Sequence, residues 1–171
     1  MEERFIDLYN KYGDAVFRYC ILRIADRETA LDITQESFTK LWDEIAKGKI
    51  VENSRAFLFK ITRNLVIDWY RKKKAVSLEE IAESKEEDLE EVIPLEDNAK
   101  YLSEIEVEGR YLLKKIDELP KSYREPLYLK YVEGMNNEEI SKILNTKESA
   151  TAVRIHRGIE ELKKITGYQN E

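Results

Sequence analysis

The sequence predicts an all-α protein made of two units, and three observations carry that prediction. Glycine and proline are scarce, six and three in 171 residues, whereas charged residues are abundant and mixed with leucine, isoleucine and tyrosine, a composition typical of helices. Apolar residues recur at three- and four-residue steps, the period of one helix face. Residues 78–97 hold ten acidic side chains and a single lysine, and this run separates the two units.

Composition also excludes several kinds of protein. The one cysteine, Cys20, cannot form an internal disulfide and fits a reducing compartment. The N-terminal MEERF is acidic, unlike the basic start of a signal peptide. No apolar run approaches the roughly 18 residues that a membrane span requires. We therefore expect a soluble, cytoplasmic protein.

The first unit, residues 1–75, is predicted to be a four-helix bundle. An apolar stripe over residues 5–12 is interrupted at Gly13-Asp14 and then resumes, which gives two helices. Asp26 is placed to cap a third helix, and Ser54 is placed to cap a fourth.

The predicted fourth helix, residues 55–74, combines cations with aromatic rings. It holds seven Lys or Arg residues in the run RAFLFKITRNLVIDWYRKKK. Cations for phosphates, an amide for a base edge and rings for stacking suit single-stranded nucleic acid. The alternative is an ordinary amphipathic helix with a solvated basic face. The predicted apolar stripe is Phe57, Leu58, Ile61, Leu65 and Trp69, and the predicted polar face is Lys60, Arg63, Asn64 and Arg71.

Residues 76–100 are predicted to form a flexible acidic linker. The run 78–97 carries a charge of −9, so the rest of the chain carries +3 within a total of −6. Such acidic density disfavours a stable helix on its own. The net negative charge of the chain therefore does not exclude a nucleic-acid partner for the units on either side.

The second unit, residues 101–167, is predicted to contain a helix-turn-helix. Ser122 and Glu125 have capping-box spacing at the start of one helix, which Gly134 ends. Asn136 and Glu139 give a second capping box, and Asn145 is placed for a left-handed turn before a last helix capped by Thr146. The second helix of such a pair enters a major groove.

The last helix has a predicted inward stripe and a predicted outward face. Thr151, Ile155, Gly158 and Leu162 step by four, three and four, so they are expected to pack inward. On the outward side Arg157 can reach phosphate or a guanine edge, and Val153 or Ala152 can touch a thymine methyl group. The alternative is a surface helix with scattered cations. The predicted outward residues are Ala152, Val153, His156 and Arg157, with Lys147 at the start of the helix.

Catalysis finds little support in the sequence. One histidine and one cysteine cannot supply a zinc site of the usual nitrogen and sulfur ligands. The glycines are isolated from one another, so no phosphate-binding loop is present. We predict no enzymatic activity, no cofactor or metal, and no small-molecule substrate.

Two segments resemble the extracytoplasmic-function sigma factors of bacterial transcription. The first runs from ALDITQESFTKLW, residues 30–42, into the basic aromatic helix. The second is residues 116–164, with LP-x-x-YRE at Leu119. Both occur in the family's order and spacing and, with the linker, cover nearly the whole chain. The resemblance implies that residues 1–75 are sigma region 2, that residues 101–167 are sigma region 4, and that the chain is an alternative sigma factor directing core RNA polymerase to promoters.

The resemblance also implies roles for individual residues. Those implied to dock on the coiled-coil clamp of the polymerase are Asp32, Gln35, Glu36 and Phe38. Those implied to contact the promoter -10 element are Lys49 and Arg55, at the ends of a loop that captures a flipped base, and Lys60, Arg63, Asn64 and Arg71, on the helix that supports the melted strand. Those implied to read the -35 duplex are Lys147, Ala152, Val153, Arg154, His156 and Arg157.

The chain departs from the family pattern in the last helix. A basic residue is common where Ala152 and Ile159 stand, and Glu160 and Glu161 add negative charge nearby. Fewer phosphate contacts predict weaker DNA binding without polymerase. The resemblance further implies that an anti-sigma factor is a partner and that the linker occupies the RNA-exit path of the polymerase; a solubilising spacer is the alternative for the linker.

Two other functions remain open from the residues themselves. One is a self-sufficient helix-turn-helix regulator whose N-terminal bundle senses a signal or dimerises. The other is an interaction protein with no DNA contact, against which Asn64 and its basic neighbours argue. Transcription with purified core polymerase discriminates among the three.

Overall fold

The computed structural model describes residues 2–24, 26–49, 51–77 and 107–167, the side chains of Val76 and Ser77 excepted. Every regular element in these ranges is a helix, which confirms the all-α prediction. The chain divides into two compact units, Met1–Val92 and Ile93–Glu171. The predicted flexible linker was residues 76–100, and its part from residue 78 onward lies outside the described residues.

The first unit contains three helices in its described part, not the predicted four. They are α1 (Glu2–Ile21), α2 (Arg27–Ala46) and α3 (Ser54–Ser77). Gly13 does not interrupt α1, because a helix-interior glycine costs only about 1 kcal/mol and the flanking turns bury Val16, Tyr19 and Cys20 in the core.

The predicted cap of α2 is confirmed and that of α3 is displaced by one residue. The Thr29 amide donates to Asp26 Oδ2 at 2.8 Å, so Asp26 supplies an acceptor for the first turn of α2. At α3 the Ala56 amide donates to Asn53 Oδ1 at 2.9 Å. Asn53, not Ser54, is therefore the capping side chain.

The buried face of α3 differs from the predicted stripe. Phe59, Thr62 and Val66 lie at its centre and are buried, whereas Phe57 and Ile61 are half-buried. The Thr62 hydroxyl donates to Ser37 Oγ on α2 at 3.0 Å. This helix is apolar over much of its circumference, and its buried threonine reads as polar in sequence, so the predicted stripe was rotated around the helix axis.

The second unit has four helices in its described part. They are α4 (Val107–Asp117), α5 (Lys121–Tyr131), α6 (Asn137–Leu144) and α7 (Glu148–Thr166). The capping box at the start of α6 is confirmed: the Glu139 amide donates to Asn136 Oδ1 at 2.8 Å, and the Asn136 amide donates to Glu139 Oε2 at 3.0 Å. Asn145 follows α6 with φ 53°, as predicted. The α6–turn–α7 pair is the predicted helix-turn-helix.

Two other predicted caps in this unit are wrong. Helix α5 begins at Lys121 with Pro120 as its N-cap and no side-chain hydrogen bond, so Ser122 already lies inside the helix. Helix α7 has Lys147 as its N-cap, also without a side-chain hydrogen bond. The Thr146 hydroxyl instead lies 2.8 Å from the Thr151 hydroxyl, which ties the turn to the buried face of α7.

The α5–α7 packing depends on a glycine. A Cβ atom placed on Gly158 would lie 3.0 Å from Leu127 Cδ1 and 3.1 Å from Tyr123 Cβ. Both of those residues belong to α5. The missing side chain therefore permits the close approach of the two helices.

Candidate polymerase and nucleic-acid interfaces

The exposed side of α2 carries a row of polar side chains. Asp32 is exposed, as are Gln35 and Glu36 about one helical turn later on the same side of the helix. Glu36 forms an exposed ion pair with Lys40 at 3.4 Å. This row is free to meet a partner of complementary polarity.

Phe38 lies beneath this row. Its side chain is only 2 % exposed, and its ring centroid is 4.8 Å from that of Tyr9 and 6.2 Å from that of Phe5. The ring that the sequence grouped with the docking residues is therefore not available at the surface. It joins α2 to α1 and so supports the polar row.

Helix α3 presents an amide and cations of unequal exposure. Asn64 and Arg71 are exposed and Lys60 is half-buried. Arg71 lies 3.6 Å from Asp68. Arg63 is only 9 % exposed, although the sequence placed it on the polar face, because it lies one turn after buried Phe59. Of the four residues on the predicted polar face, Lys60, Asn64 and Arg71 are therefore accessible and Arg63 is not.

The α2–α3 loop is anchored at its C-terminal end. Val51 is buried, and Arg4 Nη2 of α1 donates to the Val51 carbonyl at 3.3 Å. Asn53 caps α3, and Arg55 is half-buried just after it. The loop thus reaches α3 through fixed contacts.

Lys49, at the other end of the loop, is paired. Its Nζ donates to Glu44 Oε2, and Lys47 Nζ lies 3.2 Å from Glu44 Oε1. The hydrogen bond from Lys49, with that from Lys47, lowers the pKa of the Glu44 carboxyl. Glu44 therefore partly neutralises the cation that sequence reasoning assigned to the promoter.

Arg23 is a structural residue that sequence reasoning missed. Its side chain is 1 % exposed, its Nη1 donates to the Tyr19 carbonyl at 2.9 Å, and its guanidinium lies 3.4 Å from the Tyr19 ring centroid. The Tyr70 hydroxyl of α3 donates to the Arg23 carbonyl. Its position within the apolar run YCILRI was the available signal. These contacts fix the C-terminal half of α3 against the end of α1.

The exposed face of α7 agrees with the predicted one. Val153 is 49 % exposed, His156 and Arg157 are exposed, and Ala152 and Arg154 are half-buried. Lys147 is exposed at the start of the helix. Thr151, Ile155 and Gly158 are buried as predicted, and Leu162 is half-buried.

The C-terminal part of α7 is largely self-neutralised. Lys163 pairs with Glu160 at 3.2 Å, and Lys164 pairs with Glu161 at 2.7 Å. Within the described residues, the cations of α7 that have no acidic partner therefore lie in its first three turns.

The described residues hold neither a metal-binding cluster nor a membrane-spanning helix. Those residues contain no group of three or more His, Cys, Asp and Glu side chains that could hold a metal ion. The helices in this part of the chain lack the combined length and hydrophobicity that a membrane span requires.

Family models match both units. The Sigma-70 region 2 model matches residues 8–76, and the Sigma-70, region 4 model matches residues 109–162. The ECF RNA polymerase sigma factor SigW of Bacillus subtilis is 30% identical over 171 residues, covering 95% of this chain and 89% of that protein. SigM of the same organism is 30% identical over 163 residues, covering 93% of each.

Solved structures share the fold. The sigma factor RpoE of Bartonella quintana, in complex with the anti-sigma factor NepR, matches with a TM-score of 0.71 at 18% identity, covering 98% of this chain and 99% of that chain. CnrH in complex with the cytosolic domain of CnrY matches with a TM-score of 0.62 at 20% identity, covering 99% and 92%. The full-length relatives and the two family models together place the chain among the extracytoplasmic-function sigma factors, which bind core RNA polymerase and direct promoter recognition and transcription initiation.

Proposed function

We propose that residues 1–75 bind core polymerase through the α2 row and hold the melted -10 strand along α3. The observation that carries this proposal is that the first unit has two chemically different polar surfaces, one on α2 and one on α3. Asp32, Gln35 and Glu36 form a polar row on α2, while Lys60, Asn64 and Arg71 give α3 an amide and cations. One surface suits a protein partner and the other suits a polyanion with exposed bases.

The α2–α3 loop captures one extruded base in this proposal. Unstacking a base costs a few kcal/mol, so the capturing loop must not spend much free energy on its own ordering. The burial of Val51 and the Asn53 cap on α3 favour a loop whose C-terminal part is held in place before DNA arrives. Lys49 and Arg55 then flank the captured nucleotide, and Arg63 stabilises α3 from its buried side.

Residues 101–167 read the -35 element as duplex through α7. Val153 and His156 project toward base edges, Arg157 and Arg154 serve phosphate or guanine, Ala152 lies against a thymine methyl group, and Lys147 neutralises the backbone at the helix start. Residues 76–100 connect the two regions. The chain acts by binding in the cytoplasm and carries out no reaction of its own.

An anti-sigma factor is the proposed antagonist. RpoE of Bartonella quintana is bound to the anti-sigma factor NepR in its solved structure. A protein that covers the α2 row or the α3 face of this chain would compete directly with polymerase or DNA.

The test is transcription by purified core polymerase from fragmented genomic DNA, with and without the chain. We expect defined transcripts only when the chain is present. Asp32→Ala combined with Gln35→Ala is expected to weaken core binding at least tenfold, since it removes two polar contacts at the centre of an interface. Asp7→Ala, which removes an exposed carboxylate from α1 outside the α2 row, is the control.

Asn64→Ala separates strand recognition from docking. It is expected to reduce open complexes, measured by permanganate reactivity of the melted strand, while core affinity stays unchanged. An absence of transcripts from every template would refute the sigma mechanism for this chain. Normal open complexes with Asn64→Ala would refute only the role of that side chain.

A further inference from the structure

A cleft of about 510 Å³ lies between the start of α5 and one flank of α7. Six of its lining residues carry the argument: Ser122 and Tyr123 on α5, and Ser149, Val153, Arg154 and Arg157 on α7. The cleft lies wholly within the second unit. It is continuous with the exposed face of α7, because Val153 belongs to both.

The cleft is rich in unused hydrogen-bond donors. Within the described ranges, neither Arg154 nor Arg157 has an acidic partner, unlike Lys163 and Lys164 on the same helix. The hydroxyls of Ser122 and Ser149 make no hydrogen bond there either. Two guanidinium groups with two hydroxyls match the acceptor oxygens of a phosphate.

The dimensions of DNA bring its backbone to this flank. The major groove is about 12 Å wide, and an α-helix with its side chains is about 10–12 Å across. A helix that fills the groove therefore turns its tip toward the bases and its flanks toward the two sugar-phosphate strands. On α7 the exposed tip is Val153 and His156, and the α5-side flank is Arg154 with Arg157.

We infer that the α5–α7 cleft binds one phosphate of the DNA backbone, held by Arg154 and Arg157 and by the hydroxyls of Ser122 and Ser149. The neighbouring deoxyribose packs against the Tyr123 ring. This inference rests on the proposed duplex binding by α7 and adds α5 to the DNA-contacting surface. It gives Arg154 a backbone role, distinct from the base-reading role of Val153.

The test uses amide NMR spectra of the 171-residue chain titrated with a 16-base-pair duplex of mixed sequence at low salt. We expect the signals of Ser122, Tyr123 and Ser149 to shift, and Arg154→Gln to weaken the binding about tenfold, as expected for a charge-assisted hydrogen bond. The dependence of the binding constant on salt should also fall by about one phosphate contact. Lys164→Gln removes the same charge from α7 outside the cleft and should change the affinity less than twofold.

A second variant distinguishes a loss of phosphate binding from a loss of the fold. Ser122→Asp adds a carboxylate in the first turn of α5, where negative charge favours the helix, yet it should repel phosphate and abolish the shifts. Val107→Asp makes the same charge change at the start of α4 and should leave duplex binding intact.

Parallel titrations with inorganic phosphate and with deoxyadenosine monophosphate distinguish the source of the phosphate. If deoxyadenosine monophosphate saturates the cleft signals at low concentration and the duplex does not shift them, the cleft is a small-molecule site and does not bind the DNA backbone. Cleft signals that stay fixed with duplex, or equal affinity of Arg154→Gln and wild type, would overturn the inference. Because no polymerase is present, the outcome is independent of the transcription test.

Discussion

In the first unit, hydrogen bonds from polar side chains hold helix α3 against its neighbours. In the second unit, α7 packs closely on α5 because Gly158 has no side chain. The Thr62 hydroxyl donates to Ser37 on α2, and the Tyr70 hydroxyl donates to the Arg23 carbonyl. Helix α7 instead approaches α5 at Gly158. Directional bonds set the rotation of α3 about its axis, while α7 is held mainly by how closely two surfaces fit.

The same contrast extends to the surface charges. Lys49 and Arg71 of the first unit each have an acidic neighbour, whereas Arg154 and Arg157 of the second unit have none in the part of the chain that the structure describes. Among the cations assigned to DNA, Lys49 and Arg71 of the first unit are thus shielded and lie in the unit that carries Asn64 and the aromatic rings, whereas Arg154 and Arg157 of the second unit are not shielded by any described acidic residue. Single strands with exposed bases suit the former, and a duplex backbone suits the latter.

The largest expected effect is on the polar contacts of the first unit. Arg23→Ala removes the stack on Tyr19 and the hydrogen bond to its carbonyl, and it leaves a cavity, so we expect a loss of about 3 kcal/mol in unfolding free energy. Both tryptophans of the chain, Trp42 and Trp69, lie in this unit. Urea unfolding followed by tryptophan fluorescence therefore measures it selectively. A midpoint equal to that of wild type would contradict the assigned role of Arg23.

The next effect is on the close approach in the second unit. Gly158→Val places a branched side chain against Tyr123 and Leu127, and overpacking of this kind costs about 2 kcal/mol. Circular dichroism should show an earlier transition that tryptophan fluorescence does not report. The control is Gly13→Ala, where a Cβ meets nothing within 4 Å; there we expect a gain of up to about 1 kcal/mol. Equal effects at the two glycines would remove the contrast between the units.

A smaller effect is expected from the Tyr70 hydroxyl. Tyr70→Phe deletes one hydrogen bond and should cost about 1 kcal/mol near pH 7. Burial raises the pKa of Tyr70 from 10.0 to about 12, so the folded chain keeps the hydroxyl protonated at pH values where the unfolded chain ionises it. That contribution is complete below pH 10 and is lost as the pH rises toward 12. Fluorescence-detected unfolding should therefore show the two proteins converging over this range; a constant gap would contradict the assignment.

The smallest expected effect concerns shielding in the first unit. Glu44→Gln releases Lys47 and Lys49, and because exposed ion pairs are weak, we expect about twofold tighter binding of a single-stranded oligonucleotide at low salt. Glu28→Gln makes the same charge change at the start of α2 and serves as the control. Anisotropy measurements that give equal gains for both variants would reduce the effect to net charge.

Sequence reasoning succeeded where a few neighbouring residues decide the structure. The Asp26 cap, the Asn136–Glu139 capping box and the left-handed Asn145 each depend on local hydrogen bonds or backbone preference. The outward face of α7 was also predicted correctly, because the residues of its buried face recur at a regular helical spacing. The resemblance to extracytoplasmic-function sigma factors is confirmed by the family models and relatives.

Sequence reasoning failed where residues far apart in the sequence determine the local structure. Whether Gly13 ends a helix depends on the core packing on both sides of it, and the rotation of α3 depends on Ser37 of another helix. The Arg23 carbonyl accepts a hydrogen bond from the Tyr70 hydroxyl of α3, which is 47 residues away in the sequence. The α5–α7 cleft is formed by two helices that pack together at Gly158, so no single stretch of sequence predicts it. The residue roles at both interfaces stay predictions until the variants are measured.

The anchoring of the α2–α3 loop bears on how promoter preference evolves in this chain. Val51 and Asn53 secure the loop to the core and to α3, and the exposed Lys49 and Glu52 beside them carry none of that anchoring. Under the proposed capture of a base by this loop, substitutions at Lys49 and Glu52 are predicted to alter which nucleotide is accepted while leaving the fold intact. We therefore expect that promoter specificity can change through successive substitutions in this loop, each of which gives a protein that still folds.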